Sequence, residues 1–410
     1  MNAIVNLSGR AWFFLFFTIY LALSLAAIAQ YNFDISYFVG AGDAFVRADE
    51  LQIPIHIRPM AAGYDGQFYY RLAIAPFDAA RHAYGVVIDL PTIRMQRILY
   101  PLLAHFLSFG SVQMIPMVMW GINIAGLGLI GVFSARLSQH LKISGTAAWM
   151  IMVWPGLIIT LSCDTTEITA LSLLLAALCA YFADRIWLYA VLATLTSLTR
   201  ETSILAFGGV LLWEMLAAWR AGSLRKHWLR ILVCGIALIP FLIYRETLQS
   251  IDGGKAAMEF SKGNTGLPFV GAVRALEYAV FRAWVEVRQS GFNLADYRVF
   301  TRVSLIYEVA WLLGAGLCIA ARLRQAWRLP GAAVLVSAWL PICALMILLN
   351  NTWGPWVEPR GFFRAFSEFY VLGSLIVAST KPPAWMRWYL IGGGALAGLM
   401  MYLPMLTHGF

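Results

Sequence analysis

The sequence predicts an all-α polytopic membrane protein, and three observations support this prediction. Hydrophobic residues make up 60% of the 410 residues and charged residues only 12%, whereas soluble domains carry about 25% charged residues. Long apolar runs recur along the chain, and about 20 apolar residues suffice to cross a bilayer. Lys and Arg are concentrated in the short segments between these runs, as the positive-inside rule predicts. The net charge of +9 therefore reflects membrane orientation and does not indicate nucleic acid as a partner.

About 11 apolar segments are predicted to be membrane helices packed in one bundle. With the N-terminus in the cytoplasm, the Lys/Arg-rich ends of successive spans fall on the inner side. The expected spans lie at about 12–29, 112–133, 145–162, 168–182, 186–198, 203–219, 231–244, 304–321, 331–349, 366–379 and 388–406. A shorter apolar segment at 98–109 is expected to be re-entrant or interfacial. The chain, 1–410, is thus predicted to be one integral-membrane domain, in the inner membrane of a bacterium.

Three outer segments separate these spans, at 30–97, 245–301 and 350–364. The first contains six Arg and seven acidic residues and is too long to be a simple connector. In the second, Pro268 begins a predicted amphipathic helix in the plane of the membrane interface. Its apolar positions recur at helical spacing: Phe269, Val273, Leu276, Val280, Trp284 and Val287. This helix either guides a lipid chain or simply caps the bundle.

Acidic residues of the first outer loop are the candidate general bases. Asp65 lies beside Gly66 and ahead of a run of aromatic residues, where a carboxylate can accept a proton from a substrate hydroxyl. Asp43, which follows the first span, is a second candidate. Each also has a simpler role open to it. Asp65 could cap a helix that starts at Gln67, and Asp43 could stabilise a turn.

Arginines near the outer face are candidates for phosphate binding, because the guanidinium fork matches phosphate oxygens. Arg94 and Arg97 precede an apolar segment, and their alternative role is to reach lipid headgroups. Arg360, Arg364 and Glu368 recur every four residues and are expected on one face of a helix. There the arginines either hold a phosphate or pair with Glu368.

Two further pairs of charged residues interrupt the apolar pattern. Asp164 and Glu167 lie one helical turn apart and are expected on the same side of a helix start. The helix dipole favours negative charge there, and these acids could also orient an acceptor. Arg200 and Glu201 are adjacent, and each charge at mid-bilayer costs about 2.5–3.5 kcal/mol. Because sequence neighbours point to different sides of a helix, we expect a polar cavity that at least one of them lines.

Four segments in the first half of the chain form a recognisable pattern. They are Tyr64-Asp65-Gly66-Gln67-Phe68-Tyr69, Arg97-Ile98-Leu99-Tyr100-Pro101-Leu102-Leu103, and the segments 161–167 and 198–202. The first two are similar to the WDGxH…FPLYPLL arrangement of GT-C glycosyltransferases. The nearest resemblance is to the GPI-anchor mannosyltransferase type and to bacterial membrane proteins of cell-surface glycopolymer formation. Tyr64 and Phe68 depart from the pattern, which has Trp and His there in the eukaryotic relatives.

The resemblance implies a GT-C-like bundle of about 11 transmembrane helices. It also implies an enzyme that transfers a hexose from a polyprenyl-phosphate donor to a cell-surface glycan or lipid acceptor on the periplasmic face. It implies inversion at the anomeric carbon, with Asp65 as the general base and Asp43 as the alternative. The leaving group is an anionic phosphate, so neither a cofactor nor a metal is required, but positive charge is needed beside it. The residues expected to bind donor or acceptor are Arg97, Arg200, Arg360, Arg364, Asp164, Glu167, Glu201, Gln67 and Tyr69.

Two other functions stay open at the level of sequence. A transporter or flippase of lipid-linked sugars would use the same arginines for binding without catalysis, but it would distribute polar groups through the midplane of the bundle. A membrane acyltransferase lacks an evident nucleophile–base pair. Nucleotide chemistry in the cytosol is not expected, because Walker A and DxD patterns are absent.

Overall fold

The structure, a computed structural model, is predominantly helical and describes residues 7–59, 61–143, 145–252, 265–349, 356 and 361–408. The α-helices of the described residues are α1 (Gly9–Ile28), α2 (Gly66–Ile74), α3 (Pro91–Arg94), α4 (Leu99–Leu107), α5 (Ile115–His140), α6 (Thr146–Met152), α7 (Pro155–Ser162), α8 (Glu167–Phe182), α9 (Ile186–Thr199), α10 (Ser203–Arg220), α11 (Leu224–Ile236), α12 (Ile239–Asp252), α13 (Val270–Ser290), α14 (Tyr297–Ala320), α15 (Leu323–Trp327), α16 (Pro330–Leu348), α17 (Gly361–Ala365), α18 (Ser367–Ser379) and α19 (Ala384–His408). The short strands are β1 (Ala41–Gly42), β2 (Ile57–Arg58), β3 (His82–Ala83) and β4 (Val86–Val87).

Several of these helices can span a membrane. Within the described residues, six helical segments are long and apolar enough: Gly9–Tyr31, Val112–His140, Ser203–Arg220, Leu224–Ile251, Tyr297–Trp327 and Pro330–Leu348. The shorter apolar helices α8, α9 and α18 accompany them. The predicted class, an α-helical integral membrane protein, is thereby confirmed. Fewer segments than the expected eleven meet these criteria of length and composition.

The chain folds into two compact units. The N-terminal unit comprises Ser8–Leu137 and Ile159–Glu259. The C-terminal unit comprises Met1–Leu7, Ser138–Ile158 and Phe260–Phe410. The first outer loop lies entirely within the N-terminal unit, together with α8, α9 and α10.

The first outer loop is a folded substructure. β1 pairs in parallel with β2, and β3 pairs antiparallel with β4. Buried apolar side chains from α2 and from the segments around the strands form one core, which includes Val39, Phe68, Tyr69, Tyr70, Leu72, Val86 and Ile88. α2 also packs against α4. This core fixes the position of α2 and of the residue before it, Asp65.

Two predicted spans have different boundaries in the structure. The prediction of one helix over 145–162 is wrong, because the segment forms α6 and α7 with a break at Val153 and Trp154. The break precedes Pro155, which lacks an N–H group and disfavours helical geometry in the residue before it. The span predicted at 231–244 belongs to a longer stretch, Leu224–Ile251, that α11 and α12 form together.

The amphipathic helix predicted after Pro268 is present as α13, and alanines form its packed face. α13 packs against α14. Its buried residues are alanines, Ala272, Ala275, Ala279 and Ala283, and small side chains let helices approach closely. The bulky apolar residues point outward, with Phe269, Val273, Val280 and Trp284 all about half exposed or more. Because large apolar groups favour the bilayer interface, this outer face suits contact with lipid.

Candidate functional site

Asp65 is the centre of a charged cluster in the N-terminal unit. It occupies the N-cap position of α2, yet its side chain makes no capping hydrogen bond. Its carboxylate is ion-paired with two arginines instead. Oδ1 lies 2.8 Å from Arg94 Nη1, and Oδ2 lies 3.5 Å from Arg97 Nη1. The capping role that the sequence left open is therefore not the role of this side chain.

Arg94 and Arg97 are each held by a second carboxylate. Arg94 donates from Nε and Nη2 to the two oxygens of Asp89, at 2.9 and 2.7 Å. Arg97 donates from Nε and Nη2 to the two oxygens of Glu201, at 2.8 and 2.6 Å. Their side chains are only 18% and 13% exposed. Burial among acids distinguishes them from arginines that reach out to lipid headgroups.

Aromatic residues of α2 complete this cluster. Arg97 Nη1 donates to the Tyr69 hydroxyl at 2.8 Å. Burial raises the pKa of Tyr69 to about 12, while Arg97 opposes the shift, so Tyr69 stays a neutral hydrogen-bonding group. The Arg94 guanidinium lies 4.8 Å from the centroid of the Phe68 ring, a cation–π contact. The ring of Phe68 thus stabilises the guanidinium of Arg94. The resembling proteins carry His at this position.

Glu201 is a permanently charged member of the cluster at physiological pH. Burial acts to raise the pKa of its carboxyl, but Arg97 and the neighbouring Arg200 outweigh burial and lower it to about 2. Asp65, Arg97, Tyr69 and Glu201, which were all predicted as site residues, are therefore brought together by the fold.

Arg200 and Glu167 form a second ion pair, deeper in the N-terminal unit. Arg200 lies in the turn between α9 and α10, and Glu167 is the first residue of α8. Nη1 of Arg200 lies 2.7 Å from Oε1 of Glu167, and the side chains are only 4% and 1% exposed. Arg200 Nε also donates to Thr202 Oγ1. The adjacent charges at 200 and 201 thus have different partners, Glu167 and Arg97.

Asp164 does not share a helix face with Glu167, so that expectation is wrong. α8 begins at Glu167, and Asp164 lies before it with a left-handed φ of 42°. Its buried carboxylate accepts a hydrogen bond from Asn123 Nδ2 at 3.3 Å, and the same amide donates to the Tyr100 hydroxyl at 2.9 Å. Burial raises the pKa of Asp164 well above its ordinary value, which the Asn123 hydrogen bond only partly opposes. Burial thus favours the protonated form of Asp164.

Gln67 and Asp43, both predicted site residues, bind the backbone of the first outer loop. Gln67 Oε1 accepts from the Gly42 N–H at 3.1 Å, and Nε2 donates to the Ala62 carbonyl at 2.9 Å. Asp43 is exposed, and its Oδ1 accepts from the Ala61 N–H at 3.0 Å. In this structure both side chains shape the turn that precedes Asp65.

The third predicted group of charges lies in the C-terminal unit. Arg364 belongs to α17 and Glu368 to the first turn of α18. The two helices are separated by the single residue Phe366, so Arg364 and Glu368 belong to successive helices and not to one. Arg360 lies outside the described residues.

Asp89 and Asn123 were not selected from the sequence. Arg94 was considered with Arg97 as a phosphate-binding candidate but was left out of the residues expected to bind donor or acceptor, although it lies three residues before Arg97 and so shares a face with it on a helical segment. Asp89 carried no signal beyond its charge. Asn123 could have been found, because a polar amide inside the apolar run of α5 needs a buried partner.

The C-terminal unit contains an apolar cavity of about 430 Å³. Its walls come mainly from α14 and α16, including Trp339 of α16, with aromatic side chains from neighbouring segments: Phe269, Trp356, Phe366 and Phe369. A hydrocarbon chain is the ligand that such a lining suits.

Comparisons with known proteins found no relative: no family model, no curated protein and no solved structure matches the chain. The contacts among the residues of this chain are therefore the basis for the proposed function.

Proposed function

We propose that the protein is a membrane glycosyltransferase that moves a sugar from a polyprenyl-phosphate donor to a glycan or lipid acceptor. The observation that carries the proposal is the position of the Asp65 carboxylate between the Nη1 groups of Arg94 and Arg97. A general base and two cations that match phosphate oxygens then lie within hydrogen-bonding reach of one another. Their location in a folded loop of an integral membrane protein suits a substrate carried by a lipid.

The reaction needs one proton acceptor and one stabilised leaving group. The acceptor hydroxyl loses its proton to the Asp65 carboxylate, and its oxygen forms a bond to the anomeric carbon of the donor sugar. The bond from that carbon to the phosphate oxygen breaks with inversion, and polyprenyl phosphate leaves with both electrons of the bond. Arg97 and Arg94 stabilise the charge that develops on the phosphate. Because phosphate leaves as an anion, no general acid is required.

Localisation is part of the same proposal. The Lys and Arg residues of the short segments support a cytoplasmic N-terminus and a first outer loop on the periplasmic face. A lipid-linked sugar that has crossed the inner membrane would meet the Asp65 cluster there.

The test uses purified full-length protein in nanodiscs with a panel of polyprenyl-phosphate hexoses and a cell-envelope lipid extract as acceptor. We expect the wild type to release polyprenyl phosphate and Asp65→Asn to be at least about 100-fold slower, because general base catalysis contributes about that much. Asp49→Asn is the matched control, since Asp49 is an exposed acid of the same loop and its loss should leave the rate unchanged.

Two outcomes would contradict the proposal. Full activity in Asp65→Asn would exclude Asp65 as the general base. Movement of a labelled lipid-linked sugar across proteoliposome membranes, without release of polyprenyl phosphate, would identify a flippase instead.

A further inference from the structure

The two arginines of the cluster are oriented by carboxylates in the same way. In each, Nε and Nη2 are bound by a dedicated carboxylate, Asp89 for Arg94 and Glu201 for Arg97. This bidentate pairing fixes the plane of each guanidinium. The remaining nitrogen, Nη1, lies beside Asp65 in both arginines, at 2.8 Å for Arg94 and at 3.5 Å for Arg97, and Nη1 of Arg97 also donates to the Tyr69 hydroxyl. Two oriented cations therefore converge on one anion.

The Asp65 carboxylate thus occupies the place where these donors would hold phosphate oxygens. Carboxylate and phosphate present paired anionic oxygens of similar geometry to a guanidinium. A carboxylate that is bound by two cations is also a weak base, because nearby positive charge favours its ionised form. Asp65 cannot stay in this arrangement and also take a proton readily.

We propose that the donor phosphate displaces Asp65 from Arg94 and Arg97, and that Asp65 becomes an effective base only when the donor is bound. This inference rests on the proposed function. Arg94 is then a second phosphate-binding residue, held ready by Asp89. The displaced carboxylate has lost its cationic partners and lies beside a new anion, so it accepts the proton of the acceptor hydroxyl more readily.

The exchange makes the order of substrate binding compulsory. The acceptor hydroxyl needs a carboxylate that is free to receive its hydrogen bond, and that carboxylate is freed by the donor. After transfer the proton resides on Asp65, and polyprenyl phosphate stays bound to the two arginines. Loss of the proton to water and departure of polyprenyl phosphate restore the ion pairs. The donor therefore binds first and polyprenyl phosphate leaves last.

Charge balance gives the exchange a distinctive signature. The cluster has two guanidinium groups and three carboxylates, those of Asp65, Asp89 and Glu201. Asp65→Asn removes the carboxylate that competes with phosphate and leaves both arginines in place. The variant should therefore bind the lipid phosphate more tightly while it fails to turn over, which is the opposite of what loss of an ordinary binding residue does.

The first experiment measures binding of a short-chain prenyl phosphate to the full-length protein at low salt. We expect Asp65→Asn to bind at least about fivefold more tightly than the wild type, because the competing charge-assisted hydrogen bonds are lost. Arg94→Gln should bind more weakly, and Asp65→Asn/Arg94→Gln should lose most of the gain. Asp49→Asn should bind like the wild type. Unchanged or weaker binding by folded Asp65→Asn would overturn the exchange.

The second experiment uses the wild type alone, so it does not depend on the folding of a variant. Reaction of the Asp65 carboxyl with a carbodiimide is followed by peptide mass spectrometry, with and without prenyl phosphate. Prenyl phosphate should increase the labelling of Asp65 and leave that of Asp49 unchanged. Protection of Asp65 by prenyl phosphate would contradict the exchange.

These results separate the exchange from the proposed function. If sugar transfer depends on Asp65 but neither signature is seen, the exchange fails and the glycosyltransferase proposal stands. If both signatures are seen but no donor is cleaved, the glycosyltransferase proposal fails and a binding or transport role for the same exchange stands.

Discussion

At the scale of single residues, Gly66 controls where Asp65 sits. A Cβ atom at this position would lie 2.2 Å from the Cys163 carbonyl oxygen and 2.6 Å from that of Val39. Both are backbone atoms and cannot rotate away, so Gly66→Ala must displace the start of α2. A displacement of 1 Å costs about 100-fold in rate, and we expect a loss of that size in polyprenyl phosphate release. Gly121→Ala is the control, because no atom lies within 4 Å of its added Cβ. Wild-type rates in folded Gly66→Ala would refute the need for this close approach.

Glu201 predicts a dependence of stability on pH. Its pKa in the folded protein is about 2, below the ordinary 4.5, because the opposing effect of burial is outweighed by Arg97. A carboxyl with a lowered pKa stabilises the fold above its unfolded pKa, and this contribution is lost as the pH falls from about 4.5 to about 2. Thermal unfolding in detergent should therefore show a falling melting temperature in that range. Glu201→Gln should start lower and fall less, and parallel curves for the two proteins would contradict the assignment.

Part of the residue-level site could be predicted from the sequence. Asp65 stands out because it precedes a run of aromatic residues, and Arg97 stands out because it precedes an apolar segment. The pairing of Arg97 with Glu201 could not be predicted, since it joins residues 104 positions apart and depends on how α9 and α10 pack. Asp164 was placed wrongly because helical spacing was assumed where the backbone adopts a left-handed turn.

At the scale of elements, the ion pair between Arg200 and Glu167 connects the start of α8 to the turn between α9 and α10. Removing one partner of a buried pair leaves an unpaired charge and costs about 3–5 kcal/mol. We therefore expect Glu167→Gln to be strongly destabilised in thermal unfolding. Replacing both partners, in Glu167→Gln/Arg200→Met, should restore part of the loss, because no charge is then left buried. A double variant less stable than the sum of the two single variants would show that the pair does not act as a unit.

Predicted and observed helix ends agree where the end of an apolar run coincides with a charged residue or a proline. α8, α9, α10 and α16 lie within one or two residues of their predicted ends, since charged residues or a proline flank each apolar run. The packed face of α13 could not be predicted, because helical spacing does not distinguish a face against protein from a face against lipid. Its alanines form the packed face.

At the scale of the whole molecule, the positive-inside pattern predicts which ends of the helices share a side of the membrane. We expect the first outer loop to face the periplasm and the turn between α10 and α11 to face the cytoplasm. Asp49 is exposed in the first outer loop, and Lys226 is exposed in the first turn of α11, directly after that turn. The native cysteines are buried or, for Cys343, partly buried. In cells with a permeabilised outer membrane, an impermeant maleimide should label Asp49→Cys at once. It should label Lys226→Cys only after the inner membrane is also disrupted, and wild-type protein gives the background. Labelling of both positions from one side, or in the reverse order, would place the Asp65 cluster away from a periplasmic donor and remove the basis for the proposed reaction.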